Sequence, residues 1–109
     1  MSQTKKVDLI LRNARIIDGT GGPSQYGDVA IQDDRLLAVG ETGNIQASRE
    51  LDVGGKVVCP GFVDSHTHDD RLLLSDPNMS CKVSQGVTTV VAGNCGISLA
   101  PLQIDHRPP

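Results

Sequence analysis

Two histidines separated by one residue, His66 and His68, are the side chains of this sequence best suited to chemistry. They follow a short apolar run, and on an extended backbone alternate side chains project to the same side. Two neutral imidazoles that converge at the end of a strand can hold a divalent metal ion. Asp64, Asp69 and Asp70 lie beside them and offer further ligands or hydrogen-bond acceptors. The pattern therefore predicts a metal centre at a strand end.

A second candidate ligand is Cys95, which lies in a glycine-bracketed turn after the apolar residues 90–92. Flanking glycines let the backbone approach closely and leave the thiol accessible. Spacing alone leaves open whether this thiol is a ligand or a free side chain. Cys59 and Cys81 are predicted to be small buried core residues. Three widely spaced cysteines argue against a disulfide framework, and they include no Cys-x-x-Cys zinc pair.

Composition excludes several classes of function. The chain has 109 residues, a net charge of −3 and only two aromatic residues, Tyr26 and Phe62, so it offers no basic stripe or stacking platform for nucleic acids. No segment approaches the roughly 20 apolar residues of a membrane span, and the N-terminus lacks the apolar core of a signal peptide. We therefore expect a soluble, cytoplasmic protein without a nucleic-acid or membrane partner.

Short β-rich runs separated by turn residues fill the sequence from residue 7 to about residue 60. The runs are residues 7–11, 14–17, 28–32, 35–39, 50–53 and 56–59. Asp33 and Asp34 separate the third and fourth runs and predict a hairpin, and Gly54 and Gly55 predict another between the last two. Regularly spaced short strands without helices indicate a small, mainly β module of a sandwich-like or barrel-like kind.

From residue 61 onward the pattern changes to strand, helix and strand. Residues 62–63 begin a strand that ends at the histidines, and Asp76-Pro77 is a helix-start signal. The helix would place Met79 and Val83 on one face. Residues 87–91 are a β-branched run of the kind that is buried on both faces of a sheet. The sequence thus predicts two domains: a β module over residues 1–60, and over residues 61–109 a βαβ unit that starts a larger, truncated barrel.

In (β/α)8 barrels the functional residues lie at the C-terminal ends of strands, where His66, His68 and Cys95 are all predicted. Residues 61–68, Gly-Phe-Val-Asp-Ser-His-Thr-His, resemble the first barrel strand of the amidohydrolase superfamily of metal-dependent hydrolases. Residues 85–101, with their Gly-Asn-Cys-Gly turn, look specifically like the N-acyl-D-amino-acid deacylases, also called D-aminoacylases. The resemblance covers almost the whole chain but only the opening part of such an enzyme.

The resemblance implies a mainly β N-terminal module followed by the first βαβ unit of an incomplete (β/α)8 barrel. It implies a zinc-dependent hydrolase that cleaves the amide bond of N-acyl-D-amino acids. Cys95 would be a principal zinc ligand, and His66 and His68 would flank a second metal position. Asp64 would be a supporting residue rather than a ligand.

The remaining zinc-binding histidines and the catalytic aspartate of the family come from later strands, so no catalytic residue is expected in this chain. Asp69, Asp70 and His106 are not assigned those roles. A whole barrel needs roughly 250 residues, so we expect the isolated chain to be inactive and to self-associate through unpaired strands. Two alternatives are a non-catalytic, self-associating β domain and a cyclic-amide hydrolase of the hydantoinase or dihydroorotase type. The latter shares the His-x-His strand, but the Cys95 turn argues against it.

Overall fold

The computed structural model of the protein describes residues 6–100, and strands dominate the first part of the chain. These strands are β1 (Lys6–Ile16), β2 (Gln25–Gln32), β3 (Arg35–Gly40), β4 (Gln46–Asp52) and β5 (Val57–Val58). They form one mixed sheet in the order β3-β2-β1-β4, with β5 also paired to β1. The prediction of a mainly β N-terminal module is therefore confirmed. The chain divides into two compact units between Pro60 and Gly61.

Strand β1 is one continuous element, although the sequence predicts two runs separated by Arg12 and Asn13. A β-bulge between Leu11 and Ala14 absorbs these polar residues, with Asn13 at a φ of 58°. An asparagine tolerates this left-handed conformation better than most residues do. The predicted hairpin of β2 and β3 is confirmed, because the two strands pair antiparallel across a turn in which Asp33 has a φ of 52°.

The second predicted hairpin, across Gly54 and Gly55, is wrong. Strands β4 and β5 both pair in parallel with β1, so the chain keeps its direction instead of reversing. The two glycines, at φ values of 59° and 79°, carry the chain past the bulge of β1, where the Gly55 amide donates to the Asn13 carbonyl. The bulge in β1 thus lies opposite the short segment that separates β4 from β5.

The buried apolar residues of the first unit form two clusters. Val7, Ile10 and Ala30 form one, and Ala14, Ile16 and Val29 form the other. The adjacent positions 29 and 30 of β2 therefore belong to different clusters.

A half-buried polar network surrounds the bulge. The Arg12 guanidinium donates to Asp28 and Thr42 at 2.7 and 3.0 Å, and it holds Glu50 with two hydrogen bonds of 2.7 and 3.1 Å. Burial alone would raise the pKa of Asp28, but the hydrogen bonds from Arg12, the Asn13 amide and Thr42 more than offset it. The net effect holds the pKa of Asp28 below its ordinary value, so this carboxylate stays charged and paired.

The second unit contains β6 (Phe62–Asp64), α1 (Asp70–Ser75), α2 (Ser80–Val83) and β7 (Val87–Val90). The two strands pair in parallel, which is the predicted strand, helix, strand order. The predicted helix start at Asp76-Pro77 is wrong, because these residues lie between two short helices and Asp76 ends the first.

The predicted pairing of Met79 and Val83 on one helix face is wrong as well. Met79 precedes α2 in a left-handed conformation and is buried, whereas Val83 is exposed. Residues 87–91 are a run of the kind that a complete sheet buries on both faces, and in this chain Thr88, Thr89 and Val91 are exposed.

The cysteines also depart from expectation. Cys59 and Cys81 are exposed rather than buried in a core, so the prediction that they are core residues is wrong.

Among residues 6–100, no helix has the length and apolar character needed to cross a membrane. His106 lies outside the described residues.

Candidate metal centre

The candidate site of the second unit is formed where its two parallel strands end. Asp64, the last residue of β6, is paired with Val90, the last residue of β7. The Val91 amide then donates to the Asp64 carbonyl at 2.9 Å, which extends the pairing one step further. Parallel strands end at the same edge of a sheet, so the segments that follow them begin side by side.

Three side chains converge at this edge. The candidate ligand atoms of His66, His68 and Cys95 all lie within 4.8 Å of one another, and all three residues are exposed. The two imidazole rings are nearly parallel, with centroids 6.3 Å apart and an angle of 12° between their planes. The structure therefore brings together the three predicted metal residues, which lie up to 29 positions apart in the sequence.

The donors fit a zinc ion in their chemistry, because imidazole nitrogen and thiolate sulfur bind zinc at about 2.0–2.3 Å. Around a tetrahedral ion such donors lie roughly 3.3–3.6 Å apart. The three ligand atoms, all within 4.8 Å of one another, are near enough to share one ion after a shift of up to about 1 Å. A set of two nitrogens and one sulfur also favours zinc over magnesium or calcium, which prefer oxygen ligands.

Two polar side chains connect the histidine segment to the cysteine turn. Asn94 directly precedes Cys95, and Ser65 directly precedes His66. The side-chain amide of Asn94 donates a hydrogen bond of 2.8 Å to the backbone carbonyl of Ser65. Thr67 lies between the two histidines, is buried, and donates to the Val91 carbonyl at 3.4 Å. Each ligand segment is thereby fastened to the other next to the residues it presents. The sequence carries no signal that predicts these two contacts, because both depend on the register of β6 against β7.

Asp64 does not belong to the converging group but lies beside it. One of its carboxylate oxygens accepts a hydrogen bond of 3.4 Å from the His66 amide, and the other accepts one of 2.8 Å from the Lys82 ammonium. The hydrogen bond from Lys82 is the main reason that the pKa of Asp64 lies below its ordinary value. Reciprocally, its hydrogen bonds with Asp64 and Asp69 raise the pKa of Lys82. Sequence reasoning missed Lys82, which is distant in the chain from the histidines.

The neighbouring aspartates are also engaged elsewhere. Asp69 pairs with Lys82 at 2.9 Å, and an Asp70 carboxylate oxygen accepts a hydrogen bond from the Leu99 amide at 3.2 Å. Neither is part of the group of converging donor atoms.

Comparison with known proteins identifies the family. The amidohydrolase family matches residues 49–107, which is more than half of the chain. The chain belongs to the amidohydrolase family. The matched region includes all three converging residues and the strand pair that presents them.

Similar family members are deacylases. D-aminoacylase of Alcaligenes xylosoxydans xylosoxydans is 50% identical over 107 residues, which are 98% of this chain and 22% of that protein. A crystal structure of D-aminoacylase superposes with a TM-score of 0.84 at 55% identity, covering 94% of this chain and 22% of that one. N-acyl-D-glutamate deacylase from Bordetella bronchiseptica, in a complex with zinc and a phosphonate inhibitor, gives a TM-score of 0.81 at 45% identity and covers 92% of this chain. The chain thus spans about a fifth of the length of these relatives.

Proposed function

We propose that this chain is the N-terminal part of a zinc-dependent amidohydrolase that hydrolyses the amide bond of N-acyl-D-amino acids. The observation that carries the proposal is the convergence of His66, His68 and Cys95 at the ends of two parallel strands. This arrangement occurs in a chain that is about half identical to D-aminoacylase. The first unit would be the β module that precedes the barrel, and the second would be the first βαβ unit of the barrel.

The three converging residues are the proposed ligands. A zinc ion bound there would lower the pKa of a coordinated water to about 7 and polarise a carbonyl group. The fold of this chain holds the three donors near one another. The paired strands β6 and β7 bring the histidine and cysteine segments side by side, and hydrogen bonds from Thr67 and Asn94 join the two segments. We assign Asp64 a supporting role, because its carboxylate is already bound to Lys82 and to the His66 amide.

Hydrolysis of a cyclic amide is the alternative activity for a chain with a His-Thr-His segment. The deacylase proposal is favoured by the similarities reported above, which are to deacylases at 45–55% identity. The cysteine in the turn after β7 also supports it, since the thiol lies with the two imidazoles rather than apart from them.

The activity can be tested with the complete reading frame that contains these 109 residues. We expect the zinc-loaded product to hydrolyse N-acetyl-D-amino acids in preference to their L enantiomers, and to lose turnover when zinc is removed by a chelator. Residues 1–109 alone should show no turnover, because they span only a fifth of the related enzymes. Hydrolysis of hydantoins but of no N-acyl-D-amino acid would support the cyclic-amide alternative, and metal-dependent turnover by a monomer of residues 1–109 would refute the requirement for further units.

We also propose that the isolated chain self-associates through the second unit. Phe62 and Val63 of β6 are 57% and 61% exposed, and Val83 and Val91 are exposed as well. Large apolar side chains beside unpaired strand edges favour association. Sedimentation should show dimers or larger species, and Val63→Thr should shift them towards the monomer more than Val57→Thr, a control on β5 of the first unit. A chain that remains monomeric at high concentration would contradict this expectation.

A further inference from the structure

One ammonium group bridges the two ends of the histidine segment. Lys82 Nζ lies 2.8 Å from Asp64 Oδ2 and 2.9 Å from Asp69 Oδ2. Asp64 directly precedes residues 65–68, and Asp69 directly follows them, so the two carboxylates bracket the four residues that carry both imidazoles. Lys82 itself comes from α2, outside this segment. The bridge therefore closes residues 64–69 into a loop whose two ends are held at a single nitrogen.

The bridge is better shielded from water than an ordinary surface ion pair. The side chains of Lys82 and Asp69 are only 23% and 15% exposed, and that of Asp64 is 33% exposed. Exposed pairs contribute little, whereas removal of one partner from a shielded group leaves uncompensated charge. Without the ammonium, two carboxylates that both approach one point would repel each other across the ends of the loop.

Hydrogen bonds connect this bridge to the ligands. The Asp64 oxygen that does not contact Lys82 accepts a hydrogen bond from the His66 amide. At the other end, the Asp69 amide donates to the Thr67 hydroxyl at 3.3 Å, and Thr67 in turn donates to the Val91 carbonyl. Asp64 thus contacts the backbone of the His-Thr-His segment at His66, and Asp69 contacts the Thr67 side chain in the middle of that segment.

We propose that Lys82 is a positioning residue for metal binding, which holds His66 and His68 towards Cys95 by clamping Asp64 and Asp69 together. In this role Lys82 is not a ligand, and it acts through the two carboxylates that it contacts. This inference rests on the proposed metal centre.

The test is a titration of the metal-free chain with Co²⁺, whose visible absorption and sulfur-to-cobalt charge-transfer band report the geometry and the donors. We expect Lys82→Met to raise the Co²⁺ dissociation constant about tenfold, the lower end of the range for residues that orient ligands. The charge-transfer band should change in shape, and Lys82→Arg should recover most of the affinity, since it keeps the charge. Lys56→Met, at an exposed turn of the first unit, removes the same charge and should behave as wild type.

A double-mutant cycle shows whether Lys82 acts through the carboxylates. In a background of Asp64→Asn and Asp69→Asn, the further change Lys82→Met should no longer alter the dissociation constant. If Lys82→Met prevents folding, Lys82→Gln is measured in its place, with amide exchange of Val91 as the check that β6 and β7 remain paired.

Equal dissociation constants and spectra for wild type and the Lys82 variants would overturn the inference and leave the metal centre intact. So would a loss of affinity that persists unchanged in the doubly substituted background. If wild type shows no charge-transfer band that depends on Cys95, both the metal centre and the role of Lys82 are refuted.

Discussion

Replacement of Cys95 by serine should remove most of the zinc affinity of this chain. The thiol is one of three donors that converge within 4.8 Å, and it is the only sulfur among them. Changes in residues that merely orient ligands already cost 10–100-fold in affinity, so loss of a ligand should cost at least about tenfold. His66→Ala should have a similar effect, because it removes a nitrogen donor from the same group. Competition titration with a chromophoric chelator measures both constants.

The starting affinity should be modest. Two histidines and one cysteine are three protein ligands at most, and binding is weakened further when surrounding elements do not hold the ligands rigidly. Cys81→Ser is the matched control, since Cys81 is also an exposed thiol of the second unit but lies outside the converging group. If Cys95→Ser and His66→Ala both bind zinc as tightly as Cys81→Ser does, these residues are not the site.

A second large effect is expected in the β module. Ile10 is fully buried and belongs to the cluster with Val7 and Ala30. Truncation of a buried isoleucine to alanine typically costs about 2–5 kcal/mol, through lost burial and the cavity left behind. Ile10→Ala should therefore destabilise the first unit by an amount in this range, a large part of the total stability of a small domain.

Hydrogen exchange of the backbone amides that pair β1 with β2 measures the loss of stability in the first unit. A local measurement is needed because the chain has two units, and a global unfolding signal would combine them. Leu36→Ala on β3 is the control, because Leu36 is 66% exposed and its truncation should change stability by less than about 0.5 kcal/mol. If wild type shows no protected amides in β1 and β2, the first unit is not the ordered core that the structure describes.

Local patterns in the sequence predict those parts of the fold that depend on neighbouring residues. The hairpin of β2 and β3 follows from two apolar runs separated by two turn residues, and the parallel strands β6 and β7 follow from apolar runs with helical sequence between them. In contrast, α1 is not among the predicted elements, although Asp69 stands at its N-cap and Asp70 in its first turn, because both aspartates are assigned to the surroundings of the metal centre. The signal at Asp76-Pro77 misled, because a proline after a potential cap fits the connection between two helices as well as it fits the first turn of one.

The pairing of β4 and β5 with β1, rather than with each other, shows why turn residues alone do not determine topology. Gly54 and Gly55 permit a reversal, but they equally permit a short excursion past the bulge at Arg12 and Asn13. The choice depends on the unpaired edge of β1, which offers hydrogen bonds on both sides of the bulge. A pattern confined to residues 50–59 contains no information about that edge.

The sequence by itself determined which side chains of this protein are able to bind a metal: an alternating histidine pair at a strand end and a cysteine between glycines. Only the tertiary structure decided that they meet, because the register of β6 against β7 sets Asp64 opposite Val90 and brings Cys95 to the histidines. It also decided the supporting contacts of Thr67, Asn94 and Lys82. These contacts join residues 13 to 29 positions apart, and their distances follow from strand pairing and helix placement rather than from any local preference of the chain.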